Sequence, residues 1–303
     1  MANESLIRFD WAAKRLLRQK SNFVVLEGFL STLLKDNIKI VRILESEGNK
    51  EDSDDKFNRV DMLAENSKGE LIIIEVQNDR ELDYFHRMLY GVSKVITEYI
   101  YEGDLYRKVR KIYSVNIVYF ELGQGKDYVY YGRTEFRGIH NNDILRLSGS
   151  QQKQFMYEEV ADLYPEYFVL RVNGFDGKAV TPLDEWMSFL KTSEIPEDAN
   201  APGLLEARER LKRDAMSKEE RAKYAAHLDA LRYQKSVIKT GWIEGKDEGL
   251  EEGRAEGREE GRKKEQKKIV GNSYKAGLSI ETISLITGLK PEEIERMLEC
   301  ERK

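Results

Sequence analysis

The chain has 303 residues, of which 40% are hydrophobic and 35% charged, with a net charge of −5. That length suffices for one well-buried core and an appendage. The negative charge argues against a general attraction to nucleic acid, so a polyanionic partner would need a locally basic face. One cysteine and three histidines exclude a disulfide framework within the chain and give no zinc-ligand pattern.

Nothing in the sequence predicts a membrane protein. The first ten residues contain no apolar signal core, and the longest apolar runs, such as residues 71–74, are far too short to span a bilayer. Together with the single cysteine, these features predict a soluble cytoplasmic protein with no membrane partner.

The N-terminal region predicts helices followed by a strand. Apolar residues at spacings of three and four mark a helix over residues 23–34, with Asn22 as a candidate N-cap, and a shorter helix precedes it over residues 11–17. Residues 38–44 alternate in polarity, which is typical of a strand.

The next segments predict a mixed sheet covered by helices. Residues 59–64 and 71–77 flank a polar turn that contains Gly69, a pattern typical of a β-hairpin. Residues 81–101 return to helical spacing, and residues 115–120 form an apolar run that indicates a buried strand. The order helix, strand, hairpin, helix, strand predicts an α/β domain. Two further strand-like segments, at residues 128–136 and 166–172, extend this domain.

We expect this α/β domain to occupy residues 1–195. Pro196 and Pro202 flank a polar stretch that predicts a linker, after which residues 204–240 are charged and helical. A charged Gly/Glu-repeat arm follows over residues 241–268, and a small helical tail over residues 269–303.

The arm carries a glycine at every fourth position from Gly241 to Gly261. Each glycine weakens an exposed helix by about 1 kcal/mol relative to alanine, and neighbouring opposite charges return only a few tenths. We therefore expect a frayed, semi-flexible helix. The alternative is pairing between two copies of the chain, because glycines allow two backbones to approach closely.

The tail predicts short helices that resemble fragments of a helix-turn-helix. Ser279 and Pro291 are suitable helix starts, and Gly288 is a suitable stop. The last helix is rich in glutamate, which favours packing or oligomerisation over the reading of DNA.

A possible metal site lies in the predicted hairpin. Glu75 and Gln77 are two residues apart and share one face of a strand, and Asp61 lies in the partner strand. Two nearby carboxylates repel each other unless a cation lies between them, and oxygen ligands favour Mg²⁺ or Mn²⁺. The alternative is an ordinary polar strand end, with Asp61 paired to Arg59 or Arg87.

Residues 8–122 resemble the PD-(D/E)XK nuclease family transposases. The resemblance rests on an ordered set of segments: FDWAAKRLL, NFVVLEGFLSTLL, RVDMLAEN, GELIIIEVQND, FHRMLYGVSKVITEYI and YSVNIVYFEL. The glycine-rich arm and its tail are also similar to the C-terminal ends of this family. The resemblance implies a restriction-endonuclease-like mixed β-sheet flanked by helices.

The resemblance also implies roles for individual residues. Asp61, Glu75 and the backbone carbonyl of Val76 would bind the metal, and Gln77 replaces the lysine of the general motif. Further positions at which the family carries similar residues are Asp10, Lys14, Arg87 and Tyr90. For Arg87 a phosphate contact and a salt bridge are equally compatible with the sequence. Asp10 or Glu27 could add a further carboxylate from the first helices, although we prefer to interpret Glu27 as a solvated helix edge.

The function implied is that of an Mg²⁺- or Mn²⁺-dependent DNA endonuclease, acting in recombination or on mobile or foreign DNA. Gln77 cannot accept a proton, so we expect it to orient water, and the general base stays open. The alternative is a catalytically weak scaffold that forms homo-oligomers through residues 204–303. A strand-transferring transposase is a third and less favoured hypothesis.

Overall fold

The computed structural model describes residues 6–15, 17–44, 61–212 and 216–300, with the backbone alone for residues 14, 15, 299 and 300. Arg59, a partner considered for Asp61, lies outside these ranges. The chain forms two compact units, Met1–Leu231 and Arg232–Lys303.

The described residues form the following elements. The helices are α1 (Phe9–Arg15), α2 (Phe23–Leu34), α3 (Tyr84–Glu98), α4 (Gly149–Phe155), α5 (Pro182–Thr192), α6 (Leu204–Arg210), α7 (Lys218–Lys275), α8 (Ile280–Thr287) and α9 (Pro291–Cys300). The strands are β1 (Ile40–Leu44), β2 (Met62–Asn66), β3 (Leu71–Gln77), β4 (Ile112–Val118), β5 (Val129–Gly132) and β6 (Glu166–Arg171).

The six strands form one mixed sheet in the order β1-β2-β3-β4-β6-β5. Strands β1, β2 and β3 are antiparallel neighbours, β3, β4 and β6 run parallel, and β5 pairs antiparallel with β6. The predicted hairpin is confirmed, and Gly69 in its turn has φ +78°, a conformation that glycine adopts without strain. The strand-like pieces after residue 125, which the sequence predicts to extend the same domain, contribute β5 and β6 to this sheet.

Strand β3 lies inside the sheet and is covered on both faces, which explains its unbroken apolar run. Ile72, Ile74 and Val76 face the larger core beneath α1, α2 and α5. Leu71 and Ile73 face the opposite side and pack against α3. Because side chains alternate along a strand, Glu75 and Gln77 belong to the α3 face.

The segment between Pro196 and Pro202, predicted to be a linker, lies inside the first compact unit and is attached to it. Ala199 and Ala201 are buried, and the N–H of Ala201 donates to Glu185 Oε2 over 2.7 Å. The Pro202 carbonyl accepts a hydrogen bond of 3.2 Å from Trp186 Nε1. The composition of the segment does not reveal this attachment, because backbone hydrogen bonds and small buried methyl groups hold the segment in place.

Two features near this segment also depend on tertiary contacts. In α6, residues Leu204 and Ala207 are fully buried in the core, so this part of the predicted charged helical segment belongs to the first unit. Asn22 occupies the N-cap position of α2, but its side chain makes no capping hydrogen bond. Its Oδ1 instead accepts from Arg210 of α6, over 3.3 Å.

The predicted glycine-rich arm lies within α7. A Cβ added at any glycine from Gly241 to Gly261 would meet no other atom within 4 Å. In the second unit, Val270, Ile283 and Ile294 form a small core between α7, α8 and α9. The predicted start and stop of α8 are confirmed: Ser279 Oγ accepts from the Thr282 N–H over 3.3 Å, and Gly288 ends the helix with φ +70°. None of the helices in the described part of the chain combines the length and apolarity needed to cross a membrane.

Candidate active site

Glu75 lies near the carboxyl end of β3, and Asp61 directly precedes the neighbouring strand β2 rather than lying within it as the sequence predicts. Met62 pairs with Ile74 in the β2–β3 ladder, so one further step of the same register places Asp61 beside Glu75. Asp61 Oδ2 accepts a hydrogen bond of 2.8 Å from the Val76 N–H. The N–H and C=O of one strand residue point to the same edge, so the Val76 carbonyl also points toward Asp61.

Glu75 is buried on the α3 face, at 7% exposure, and Arg87 of α3 lies over it. Arg87 Nη2 is 3.5 Å from Glu75 Oε2, and its Nη1 donates to Glu81 Oε1 over 2.8 Å. Gln77 Nε2 donates to that same oxygen of Glu81, also over 2.8 Å. Of the two roles considered for Arg87, the structure shows the salt bridge. Glu81 connects Gln77 to Arg87, a role that no sequence pattern indicates.

A small cavity beside Glu75 is lined by polar groups from α3 and β4. Glu75 is the register partner of Asn116, whose Oδ1 accepts a hydrogen bond of 3.3 Å from the Tyr84 hydroxyl. Ser114 and Arg87 contribute to the same lining. Tyr84, Ser114 and Asn116 could not be predicted from the sequence, because α3 and β4 meet β3 only through tertiary contacts.

The electrostatics of Tyr84 indicate negative charge at this end of the sheet. Burial raises the pKa of the Tyr84 phenol well above its usual value, and the charge of Glu75 raises this pKa further. Asp61 and Glu81 act in the same direction, while Arg87 opposes them. Several acidic groups therefore act on one buried location.

The donor set at this location suits a hard divalent cation. In the described residues, no group of three or more His, Cys, Asp or Glu side chains could hold a metal ion. Asp61, Glu75 and the Val76 carbonyl offer two carboxylates and a backbone oxygen instead. Mg²⁺ is commonly bound by one or two carboxylates, with water and substrate phosphate as its remaining ligands.

Asp10 is almost fully buried, at 1% exposure, in a neighbouring polar cluster whose other members are partly exposed. Its carboxylate accepts from Arg8 Nε over 3.0 Å and from Asn78 Nδ2 over 3.0 Å, and lies 3.1 Å from His227 Nε2. Burial alone would raise the pKa of Asp10, but the hydrogen bonds from His227 and Arg8 hold it well below its usual value. Asp10 thereby joins α1, the residue after β3 and the beginning of α7.

The other residues named from the sequence have different surroundings. Tyr90 lies on α3 with 41% of its surface exposed. The side chain of Lys14 lies outside the described residues. Glu27 is not a solvated helix edge: its carboxylate accepts from the Ile40 N–H over 2.9 Å and from Lys39 Nζ over 3.0 Å. It therefore ties the edge strand β1 to α2.

Comparison with known proteins gives one family. The model of the PD-(D/E)XK nuclease family transposases matches residues 7–241, which is most of the chain. No curated protein and no solved structure matches the chain. The mixed six-stranded sheet with flanking helices is consistent with the restriction-endonuclease-like α/β fold that the sequence predicts.

Proposed function

Because the chain belongs to the PD-(D/E)XK nuclease family transposases, we propose that it is a metal-dependent endonuclease that hydrolyses phosphodiester bonds in DNA. One observation carries the proposal to particular residues: the 2.8 Å hydrogen bond from the Val76 N–H to Asp61 Oδ2, at the strand end where Glu75 is buried. The family description also suggests an action on mobile DNA or in recombination.

In the proposed site, Asp61, Glu75 and the Val76 carbonyl hold Mg²⁺ or Mn²⁺. When bound, such a cation polarises the phosphate and lowers the pKa of a coordinated water. Gln77 is a positioning residue, because an amide can donate and accept hydrogen bonds but cannot take up a proton. Its Nε2 is held by Glu81, which fixes the direction of the amide group.

Positive charge reaches this site from Arg87, beside Glu75, and from Arg18, whose guanidinium donates to the Asp61 carbonyl. The Arg87 guanidinium bridges Glu81 and Glu75 in the structure. A substrate phosphate at the same strand end would offer the guanidinium further oxygens, to which arginine binds well in a bidentate geometry. Arg87 then forms the salt bridge in the free protein and contacts the phosphate when the substrate is bound.

The test is cleavage of supercoiled plasmid by the full-length protein with Mg²⁺, with Mn²⁺ and with a chelator. We expect nicked or linear products with the metals alone, and a loss of more than about a hundredfold in Asp61→Asn and Glu75→Gln. The matched controls are Asp176→Asn and Glu102→Gln, which change exposed acids. Circular dichroism establishes that each variant is folded.

Three results would each reject the proposal or a part of it. Cleavage by Asp61→Asn and Glu75→Gln at the rate of the controls would reject the site. Undiminished cleavage in the chelator would reject the dependence on metal. A folded wild-type protein that cuts neither single- nor double-stranded DNA with any divalent metal would reject the activity itself.

A catalytically weak scaffold is the second candidate, and it is supported by the surface of α7. Trp242 and Ile238 are exposed there, at 63% and 53%, next to glycines with open space. Because Leu204 and Ala207 are buried within the first unit, such contacts would involve the later part of residues 204–303. Light scattering over a range of concentrations tests this candidate: it predicts a mass above one chain that Trp242→Ser reduces. A monomeric mass throughout would contradict it.

A further inference from the structure

A second concave site lies at the opposite end of β3 and β4 from Glu75. We call it the basic cleft. It is bounded by the hairpin turn, the segment before β4 and the residues around Tyr157, and its volume is about 470 Å³. That volume is typical of sites for small ligands. The basic residues that line it are Lys68, Arg107, Lys108, Arg110 and Lys111.

This clustering is unusual for a chain of net charge −5. Glu70 is the acidic residue among those lining the cleft. A cleft lined mainly by one sign of charge concentrates ions of the opposite sign, even where the protein as a whole does not. Four of these five cations also have acidic partners, so the attraction of the cleft for an anion rests on Arg107 and on the exposed surface pairs of Lys68 and Lys108.

The two cations at the floor of the cleft, Lys111 and Arg110, already have hydrogen-bond and ion-pair partners within the protein. Lys111 is 5% exposed, and its ammonium donates to the Ala161 and Tyr164 carbonyls and to Glu166. Arg110 Nη2 lies 2.9 Å from Glu65 Oε1. These two cations hold the cleft together and have little capacity left for a ligand.

The rim has the opposite character. Lys68 and Lys108 are more than half exposed and pair with Asp36 and Asp104 at the surface, where such pairs contribute little to stability. Arg107 is exposed and has no ion-pair or hydrogen-bond partner in the described part of the chain. An arriving anion can therefore recruit all three rim cations at small cost.

The rim also presents an aromatic side chain. Tyr106 adjoins Arg107 in sequence and is 90% exposed, which leaves its ring open on the cleft margin. Tyr157 lines the same cleft and is partly buried. An exposed ring beside several cations is the combination by which proteins bind a planar base together with its phosphate.

We propose that the basic cleft binds a nucleotide unit, with its phosphate on Arg107, Lys68 and Lys108 and its base on Tyr106. The choice of nucleic acid as ligand rests on the proposed function. The hairpin turn and Glu75 are separated by roughly 20 Å along β3, at about 3.3 Å per residue, so the cleft is distinct from the candidate active site. The nucleotide unit can belong to an unpaired strand or be a free nucleotide.

The experiment measures binding without cleavage. Full-length protein in chelator is titrated against a fluorescent single-stranded oligonucleotide over a series of salt concentrations, with anisotropy as the readout. Arg107→Gln should weaken binding several-fold and reduce the slope of log K against log salt by about 0.7, because one phosphate contact is lost. Tyr106→Leu should weaken binding about tenfold and leave the slope unchanged, because stacking involves no counterion. Lys178→Gln, at an exposed lysine outside the cleft, is the control and should change neither quantity.

Competition then identifies the source of the nucleotide. If a mononucleotide displaces the oligonucleotide and binds with the same dependence on Arg107 and Tyr106, the ligand is a free nucleotide. If only longer strands compete, the cleft holds a strand. Displacement by inorganic phosphate as readily as by the mononucleotide would overturn the contact with the base. Binding that neither variant alters would overturn the whole proposal.

The outcome is separate from that of the proposed function. If the protein binds through the basic cleft but cuts no DNA, the proposed endonuclease activity is rejected and the proposal for the cleft is supported. If the protein cuts DNA but its binding is unaffected by Arg107→Gln and Tyr106→Leu, the proposal for the cleft is rejected and the endonuclease activity is supported.

Discussion

Replacing Asp10 by asparagine tests whether this residue is a structural carboxylate or a metal ligand. The substitution keeps the size of the side chain and removes its charge from the cluster of Arg8, Asn78 and His227. In the structure, these three residues surround the carboxylate at 3.0, 3.0 and 3.1 Å. We expect a folded but less stable protein whose affinity for divalent metal is unchanged.

The magnitude follows from the burial of the cluster. Removing one partner of a fully buried ion pair costs about 3–5 kcal/mol. The Arg8 side chain keeps 21% exposure and can regain some hydration, and the asparagine oxygen can still accept one hydrogen bond. A loss of about 2–3 kcal/mol in the free energy of unfolding is therefore expected, which is roughly 5–10 °C in the melting temperature.

The effect should depend on pH in a defined direction. The pKa of Asp10 is lowered in the folded chain, so its contribution to stability is fully present above the unfolded value of about 3.9. The difference between wild type and Asp10→Asn should stay constant from neutral pH down to about pH 4. It should shrink below that, as acid protonates the carboxylate through its lowered pKa.

Urea unfolding followed by tryptophan fluorescence measures the stability, and calorimetric titration with Mn²⁺ measures the affinity for metal. Asp176→Asn is the control for loss of an exposed aspartate. Unchanged unfolding together with a large loss of Mn²⁺ affinity would refute the reasoning, because Asp10 would then be a ligand.

Three further outcomes test the packing and the site. Gly28→Ala would place a Cβ 2.3 Å from the Pro202 carbonyl oxygen, so we expect a loss of about 3 kcal/mol in urea unfolding, and wild-type stability would contradict the packing of α2. Gly245→Ala meets no atom within 4 Å and should stabilise its part of α7 by about 1 kcal/mol, seen as slower amide hydrogen exchange there; faster exchange would count against a continuous helix. Arg87→Met removes a cation 3.5 Å from Glu75 and should raise Mg²⁺ affinity about fivefold in calorimetry, whereas a fall would argue against a metal at Glu75.

The central hairpin and the site residues on or next to it, Asp61, Glu75 and Gln77, could be predicted from the sequence because they depend on local patterns. A two-residue period places Glu75 and Gln77 on one face, and a short turn at Gly69 brings β2, directly after Asp61, alongside. The buried run of β3 followed from its apolar composition. Each of these inferences spans fewer than about twenty residues of chain.

The other residues of the site come from distant parts of the chain. Asn116 reaches Glu75 only through the parallel register of β3 and β4, which no turn or local pattern specifies. Glu81 lies in an irregular segment before α3, and its position between Gln77 and Arg87 depends on how that helix packs. His227 joins Asp10 from the beginning of α7, across more than two hundred residues. Sequence patterns carry no information about contacts of this range.

The structure changes the significance of Gln77. Loss of the motif's lysine removes a positive charge from the region of the proposed transition state. Arg87 places a cation near the same strand end, 3.5 Å from Glu75, and it is held there by the same Glu81 oxygen that receives the Gln77 amide. In the proposed site, the two functions of a lysine are therefore divided: Gln77 supplies a directed hydrogen bond and Arg87 supplies the charge. A lysine at position 77 would instead compete with Arg87 for Glu81, so the glutamine is consistent with an arginine that reaches the site from α3.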